Sequence, residues 1–140
     1  MKVLNTYTMP RPFYGYNIPI AIQSAYLRDY ASKNKMHFSL PVTEISKPNT
    51  YQMLSGILND KKQIITNLAF VSIFVLPLYD YRKLKEIFDS KNIKNLNLHF
   101  TLESLILTPN KLLVWQKENV PLIGLTQDFS DFKGNRYESL

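Results

Sequence analysis

The sequence predicts a single α/β domain of three layers, a mostly parallel four- to five-stranded sheet with helices on both faces. Three observations predict it. Short β-branched or aromatic runs alternate with amphipathic stretches in the order β-α-β-α-β-α-β-(α). The run Leu68–Leu76 is apolar without in-out alternation, as in a strand covered on both faces. A chain of 140 residues with a 45% apolar fraction is enough for one core. The domain takes residues 1–125, and residues 126–140 read as a polar C-terminal tail.

The first strand is Lys2–Tyr7. Pro10 and Pro12 cannot continue it, because each lacks a ladder donor. Phe13, Tyr14 and Tyr16 bracket Gly15, which is free to take positive φ. Asn17 is the expected N-cap of the first helix, with Pro19 in its first turn and an apolar spacing through Ile18, Ile22, Ala25, Tyr26 and Tyr30 to about Lys33. Met36–Val42 is the second strand. Asn49 or Thr50 caps a helix through Tyr51, Leu54, Ile57 and Leu58, whose Gly56 suggests close packing. Ile64–Leu76 contains the central strand, and Pro77 breaks it. Asp80 caps Tyr81–Ser90. Leu96–Thr101 is the fourth strand, Leu105–Leu107 an extension or a turn, and Pro109–Glu118 a helix capped by Thr108 or Asn110. Val120–Leu125 is either a last strand or a cover over the core.

Composition removes several function classes. With no cysteine there is neither a disulfide scaffold nor thiolate chemistry. Two histidines, His37 and His99, do not make a multi-histidine metal site, so no metal ligand is assigned, although two carboxylates at strand ends, Glu44 and Glu103, could hold a divalent cation. No phosphate-binding loop, dinucleotide fingerprint, nucleophile elbow or zinc-ligand spacing occurs. The N-terminus has no secretory pattern, and the longest apolar run is too short to span a bilayer, so the reading is a cytoplasmic protein. The net charge of +6 points to anionic partners. The lysines are scattered and arginines number only four, which favours a small anionic molecule over nucleic acid. Self-association stays open, and the residues leave any cofactor unknown.

In a parallel α/β sheet, ligands bind outside the carboxyl ends of the strands. That rule selects Thr8 and Arg11 after the first strand, Thr43 and Glu44 after the second, Tyr79 and Arg82 after the third, and Thr101 and Glu103 after the fourth. Glu44 and Glu103 are the candidate catalytic pair, one serving as general acid/base. The plainer reading is that each caps a helix or pairs with an arginine. Thr8, Arg11, Tyr16, Thr43 and Arg82 are the candidate ligand-binding residues. Arg11, held stiffly between Pro10 and Pro12, supplies a planar fork for phosphate or carboxylate, and Tyr16 stacks on a ring or hydrogen-bonds to the ligand. His99, inside a strand, fits a packed and hydrogen-bonded role better than a catalytic one.

Arg11-Pro12-Phe13, Gly15-Tyr16, Pro19, Gln23, Arg28-Asp29-Tyr30, Thr43-Glu44, Pro48, Tyr51, Met53-Leu54 and His99–Ser104 together resemble the sporadic carbohydrate cluster family, over roughly residues 7–107. That resemblance implies a role in bacterial surface-polysaccharide biosynthesis, in O-antigen or capsule, and carries no catalytic residue with it. The ligand expected is then an activated or phosphorylated sugar, such as a sugar phosphate or nucleotide sugar. The alternative is a non-catalytic partner of other glycan-biosynthesis enzymes. The element layout is also similar to the catalytic domain of serine recombinases, which implies a resolvase-like sheet, with a flavodoxin-like one as the other doubly wound option. The nucleophilic serine of that family has no counterpart here, so the second alternative is a nucleic-acid-binding recombinase-like domain lacking the nucleophile. Thr8 and Met9 stand after the first strand, and Ser24 lies within the helix. Whether the chain is an enzyme is left undecided by its residues.

Overall fold

The computed structural model describes residues 1–89, 93 and 95–119. β1, Val3–Thr8, is the spine of the sheet. Two short segments, β2 (His37–Phe38) and β3 (Val42–Thr43), pair in parallel along one of its edges, and β4 (Asn67–Phe70) pairs in parallel along the other. β5 (Asn97–Phe100) lies parallel to β4, and β6 (Leu105–Leu107) closes the far edge antiparallel to β5. The order is β2-β1-β4-β5-β6, with β3 also on β1. The architecture is a three-layer α/β domain with a mostly parallel sheet of six short segments.

The expected second strand, Met36–Val42, is broken into β2 and β3. The reason is local. Pro41 has no N–H to give, and Leu40 swings out to 80% exposure. The segment still tracks β1 on both sides of the break. Ser39 N–H donates to Leu4 O, Thr6 Oγ1 donates to Ser39 O at 2.8 Å, and Glu44 N–H donates to Thr8 O. β2 and β3 therefore act as one kinked strand.

Side chains alternate across β1, β4 and β5. Leu4 and Ala69 face α1 (Ile20–Lys33) and pack against Leu27 and Ala31. Tyr7, Leu68, Phe70, Leu98 and Phe100 face the other way. There they form the main core with α2 (Gln52–Leu58), α3 (Tyr81–Phe88) and α4 (Pro109–Glu118), represented by Leu54, Leu84 and Leu112. Phe70 stacks on Phe100 with ring centres 5.3 Å apart, and Tyr7 meets Phe70 edge-on. Among the described residues, one helix thus covers one face and three cover the other.

Several boundaries differ from the sequence reading. α1 begins at Ile20 with Pro19 at the N-cap, and Asn17 stays outside it. Its buried stripe is Gln23, Leu27 and Ala31, while Ile22 and Tyr26 stand about half exposed. The inversion follows from Gln23. Its Oε1 accepts Met9 N–H at 2.9 Å, and its Nε2 donates to Met9 O and Ile18 O, both at 2.7 Å. Satisfying three backbone groups at the end of β1 turns the helix so that a glutamine, not Ile22, points inward.

The apolar run after Asn67 is a strand only to Phe70, and Ile73–Val75 forms a 3-10 turn. Ser72 Oγ accepts Phe74 N–H at 3.1 Å and thereby nucleates that turn. Asp80 and Thr108 cap α3 and α4 through Lys83 N–H and Lys111 N–H, as the sequence indicates. Gly56 is not a close-packing residue, since a Cβ there would meet nothing within 4 Å. Leu105–Leu107 is the antiparallel edge strand. The expected Val120–Leu125 element and the tail 126–140 lie outside the described residues.

Among the described residues, no helix is long and apolar enough to cross a membrane.

Candidate ligand cleft at the carboxyl edge of the sheet

β1 sends the chain to one neighbour through α1 on one face. β4, on its other side, sends the chain onward through α3 on the opposite face. Where successive connections part in this way, a crevice opens beyond the strand ends. A cleft of about 310 Å³ lies there. The loop after β1 contributes Arg11, Phe13 and Tyr14, the loop after β3 contributes Asn49 and Tyr51, and the segment after β4 contributes Phe74, Leu76 and Tyr79.

The turn Phe13–Tyr16 shapes one wall. Phe13 and Tyr16 exchange two backbone hydrogen bonds of 2.9 Å, and both central residues have positive φ, 51° at Tyr14 and 79° at Gly15. Positive φ at both positions is the type I′ arrangement, which glycine enters without strain. It sends Phe13 inward, turns Tyr14 edge-on to Phe74 and Tyr79, and leaves Tyr16 58% exposed and outside the cleft lining. The Tyr14 hydroxyl is buried with no hydrogen-bond partner among the described residues, and burial raises its pKa.

Arg11 is held in place. Its Nη1 donates to Ile45 O at 2.7 Å and to Thr50 Oγ1 at 3.4 Å, and its Nη2 donates to Thr50 O at 2.6 Å. Its guanidinium sits 5.1 Å from the centre of the Tyr51 ring. These bonds engage both Nη nitrogens, and a further hydrogen-bonding interaction links the guanidinium to the Tyr51 side chain. Lys83 Nζ lies 5.6 Å from the same ring centre and donates to Asn49 O. Tyr79 Oη donates to Asn49 Oδ1 at 2.8 Å. Asn49 itself is left-handed at φ 60°, a conformation asparagine tolerates well. Burial raises the pKa of both Tyr51 and Tyr79, so both phenols keep their protons.

Glu44 and Glu103 do not converge on this cleft. Glu44 is 3% exposed and lies beneath it. Its Oε1 accepts Tyr7 Oη–H at 2.7 Å and Leu54 N–H, and its Oε2 accepts Ile45 N–H at 2.9 Å and Met53 N–H. The carboxylate therefore caps α2, whose N-cap residue Tyr51 supplies no side-chain acceptor. Glu103 accepts Ser72 Oγ–H at 2.7 Å and Ile73 N–H at 2.6 Å, tying the β5–β6 turn to the 3-10 turn. Thr8 and Thr43 meet each other, Oγ1 to Oγ1 at 2.9 Å, across the β1–β3 pairing. Arg82 is exposed on α3, and its neighbour Lys83 is the one that reaches the cleft region. No group of three or more His, Cys, Asp or Glu suited to a metal occurs among the described residues.

Of the residues selected from sequence, Arg11 and Tyr79 line the cleft. Tyr51, Asn49 and Phe74 were missed as a site. The only signal for Tyr51 was its part in the family resemblance.

On the opposite face, His99 is buried between two partners. Tyr30 Oη and His99 Nδ1 are 2.6 Å apart, and His99 Nε2 and Asn67 Oδ1 are 2.9 Å apart. Asn67 Oδ1 can only accept, so Nε2 carries the proton and Tyr30 donates to Nδ1. Burial lowers the pKa of His99 and favours this neutral form.

No protein-family model, curated protein or solved structure matches the chain.

Proposed function

We propose that the chain binds a small anionic sugar derivative, in its simplest form a sugar phosphate, in the cleft beyond β1 and β4. One observation carries the reading. Arg11 is fixed by two backbone carbonyls and the Tyr51 ring while it lines an aromatic-walled cleft at the topological switch point. A guanidinium fixed in this way is preorganised for an anion. Tyr14, Tyr51 and Tyr79 supply ring faces and hydroxyls for a sugar. The resemblance to the sporadic carbohydrate cluster family supports a setting in bacterial surface-polysaccharide biosynthesis.

The reading is of binding first. All four hydrogen bonds to Glu44 come from groups that hold the fold, so its geometry supports a structural role more directly than an acid/base one.

A thermal-shift screen against sugar phosphates tests the proposal. Ligand at about 100 times its Kd stabilises a folded protein by roughly 2.7 kcal/mol, a rise of several degrees. The rise is expected to disappear in Arg11→Lys, which keeps the charge and loses the fork. No shift with any sugar phosphate or nucleotide sugar at millimolar concentration overturns the reading.

A second reading, a non-catalytic partner of glycan-biosynthesis enzymes, is favoured by one observation. α1 exposes Ile20, Ile22 and Tyr26 on its outer side.

A further inference from the structure

β6 forms an edge of the sheet, and the direction of its peptide groups follows from β5. Asn97 N–H donates to Thr66 O and Thr101 N–H to Phe70 O, so alternate residues of β5, His99 among them, turn their peptide groups toward β4. Leu98 and Phe100 turn theirs toward β6, where they pair with Leu107 and Leu105. Ile106, between those two, therefore points its N–H and C=O away from the sheet, and neither group has a partner among the described residues. Its side chain lies beside His99 on the α1 side of the sheet and is 57% exposed. Natural edge strands are commonly guarded by a charge, a proline or a bulge. Leu105–Leu107 has none of these, only its shortness.

α4 flanks the same edge. Thr108 ends β6 and caps the helix, and Gln116 Nε2 donates to Leu78 O beyond the carboxyl end of β4, so α4 doubles back along β6. Lys117 Nζ sits 4.6 Å from the centre of the Tyr81 ring, which turns that side of α4 to α3. Leu112 and Gln116 are buried on the inner side. By helical phase, Lys111, Trp115 and Glu118 then share the side turned to the free edge. Lys111 and Glu118 are exposed, and neither has an ion-pair partner among the described residues.

We propose that this edge is the seam of a two-fold homodimer. β6 pairs antiparallel with β6 of a second copy, centred on Ile106, and α4 lies antiparallel to its counterpart with Lys111 of each chain against Glu118 of the other. Both features are self-complementary. An antiparallel pair centred on Ile106 lets the two isoleucines exchange both of their free peptide hydrogen bonds and brings their exposed side chains together. Reversing α4 against itself sets opposite charges facing at two equivalent places, as an isologous interface requires. The two centres also lie near one level. A helix rise of about 1.5 Å per residue puts the midpoint of Lys111 and Glu118 roughly 10 Å past Thr108, and a strand rise of about 3.3 Å puts Ile106 roughly 7 Å before it. An unrelated extended peptide would satisfy Ile106 and leave the reciprocal charges of α4 unused.

Sedimentation velocity of the full chain at concentrations up to about 1 mM tests the seam, and a concentration-dependent monomer–dimer equilibrium is expected. Ile106→Lys places two like charges at the axis, and Ile106→Pro removes the outward N–H without touching the β5–β6 ladder. Both variants are expected to stay monomeric, with melting temperatures close to that of the wild type under conditions where it too is a monomer. Lys111→Glu and Glu118→Lys are each expected to weaken the dimer about tenfold, because each sets like charges facing twice. An equimolar mixture of these two variants is expected to form a mixed dimer at least as tight as the wild type, since an all-acidic α4 then meets an all-basic one. A chain that remains monomeric throughout, as it would if the edge served a peptide from another protein, overturns the proposal. So does a dimer that is unchanged by the Ile106 substitutions or by the charge reversals.

Discussion

The Tyr7 hydroxyl and the Glu44 carboxylate are 2.7 Å apart in the interior, joining β1 to the loop that leads into α2. Burial, and secondarily the hydrogen bond to Glu44, raise the Tyr7 pKa, so this phenol remains a donor at any physiological pH. Tyr7→Phe removes one of the donors on Glu44 and leaves the backbone ones. It is expected to cost about 1–1.5 kcal/mol. Glu44→Ala strands four donors in a nearly dry site and is expected to cost about 3–5 kcal/mol. Urea denaturation of the two variants checks the ordering. Equal small losses for both would contradict the capping role of Glu44.

Gln23 meets one donor and two acceptors at the end of β1. Gln23→Glu is nearly isosteric but turns a donor into an acceptor facing Met9 O and Ile18 O. The expected loss is about 2–4 kcal/mol at pH 7. Burial raises the pKa of the new carboxyl, and its protonated form donates again. The loss therefore shrinks as pH falls. A pH-independent deficit in melting temperature would show that the amide's donor end is not what matters.

His99 gives the wild-type protein a pH dependence of its own. Its folded pKa lies below the ordinary value of 6.5 because burial disfavours the charged ring. The unfolded chain then binds the proton more readily than the folded one. Stability from this group is fully present above the unfolded pKa of about 6.5 and is lost as pH falls through it toward the lower folded pKa. Melting temperature is expected to drop between about pH 7 and 5, and His99→Gln should flatten that slope at some cost in baseline stability. An unchanged slope in the variant would assign the acid sensitivity elsewhere.

Gly56 has room and no need of its flexibility. Gly56→Ala is expected to stabilise the protein by about 0.5–1 kcal/mol, through helix propensity and a less free unfolded chain. Differential scanning calorimetry would register about 2–5 °C. A loss instead would mean that a neighbour closes on α2.

Much of the layering was legible in the sequence because it depends on local pattern. Alternation of element types fixed the α/β class, and Asp80 and Thr108 marked two helix starts by their own side-chain chemistry. The failures share one physical cause, contacts distant in sequence. Leu68–Leu76 is apolar but for Ser72, and periodicity cannot tell a buried strand from a buried 3-10 turn. Glu103, thirty residues beyond Ile73, helps decide the matter by taking that residue's N–H. Asn17 has good capping chemistry, but the bond from Gln23 to Ile18 O sets the helix start beyond it. At the cleft, Arg11 was visible because Pro10 and Pro12 flag a stiff loop. Lys83 was not, since the choice between it and Arg82 depends on the phase of a helix against a loop thirty-four residues earlier.

The short-range partners of Arg11 at Ile45 and Thr50 are main-chain carbonyls, with one side-chain hydroxyl at longer reach. Carbonyls are the same for every amino acid. The guanidinium's position is therefore written in the length of the segment between Val42 and Gln52, not in its lettering. Substitutions at Ile45, Ser46 or Lys47 can accumulate without moving Arg11, whereas one inserted or deleted residue there would dislodge it. Natural or engineered diversification of this loop has room to vary in identity and almost none to vary in size.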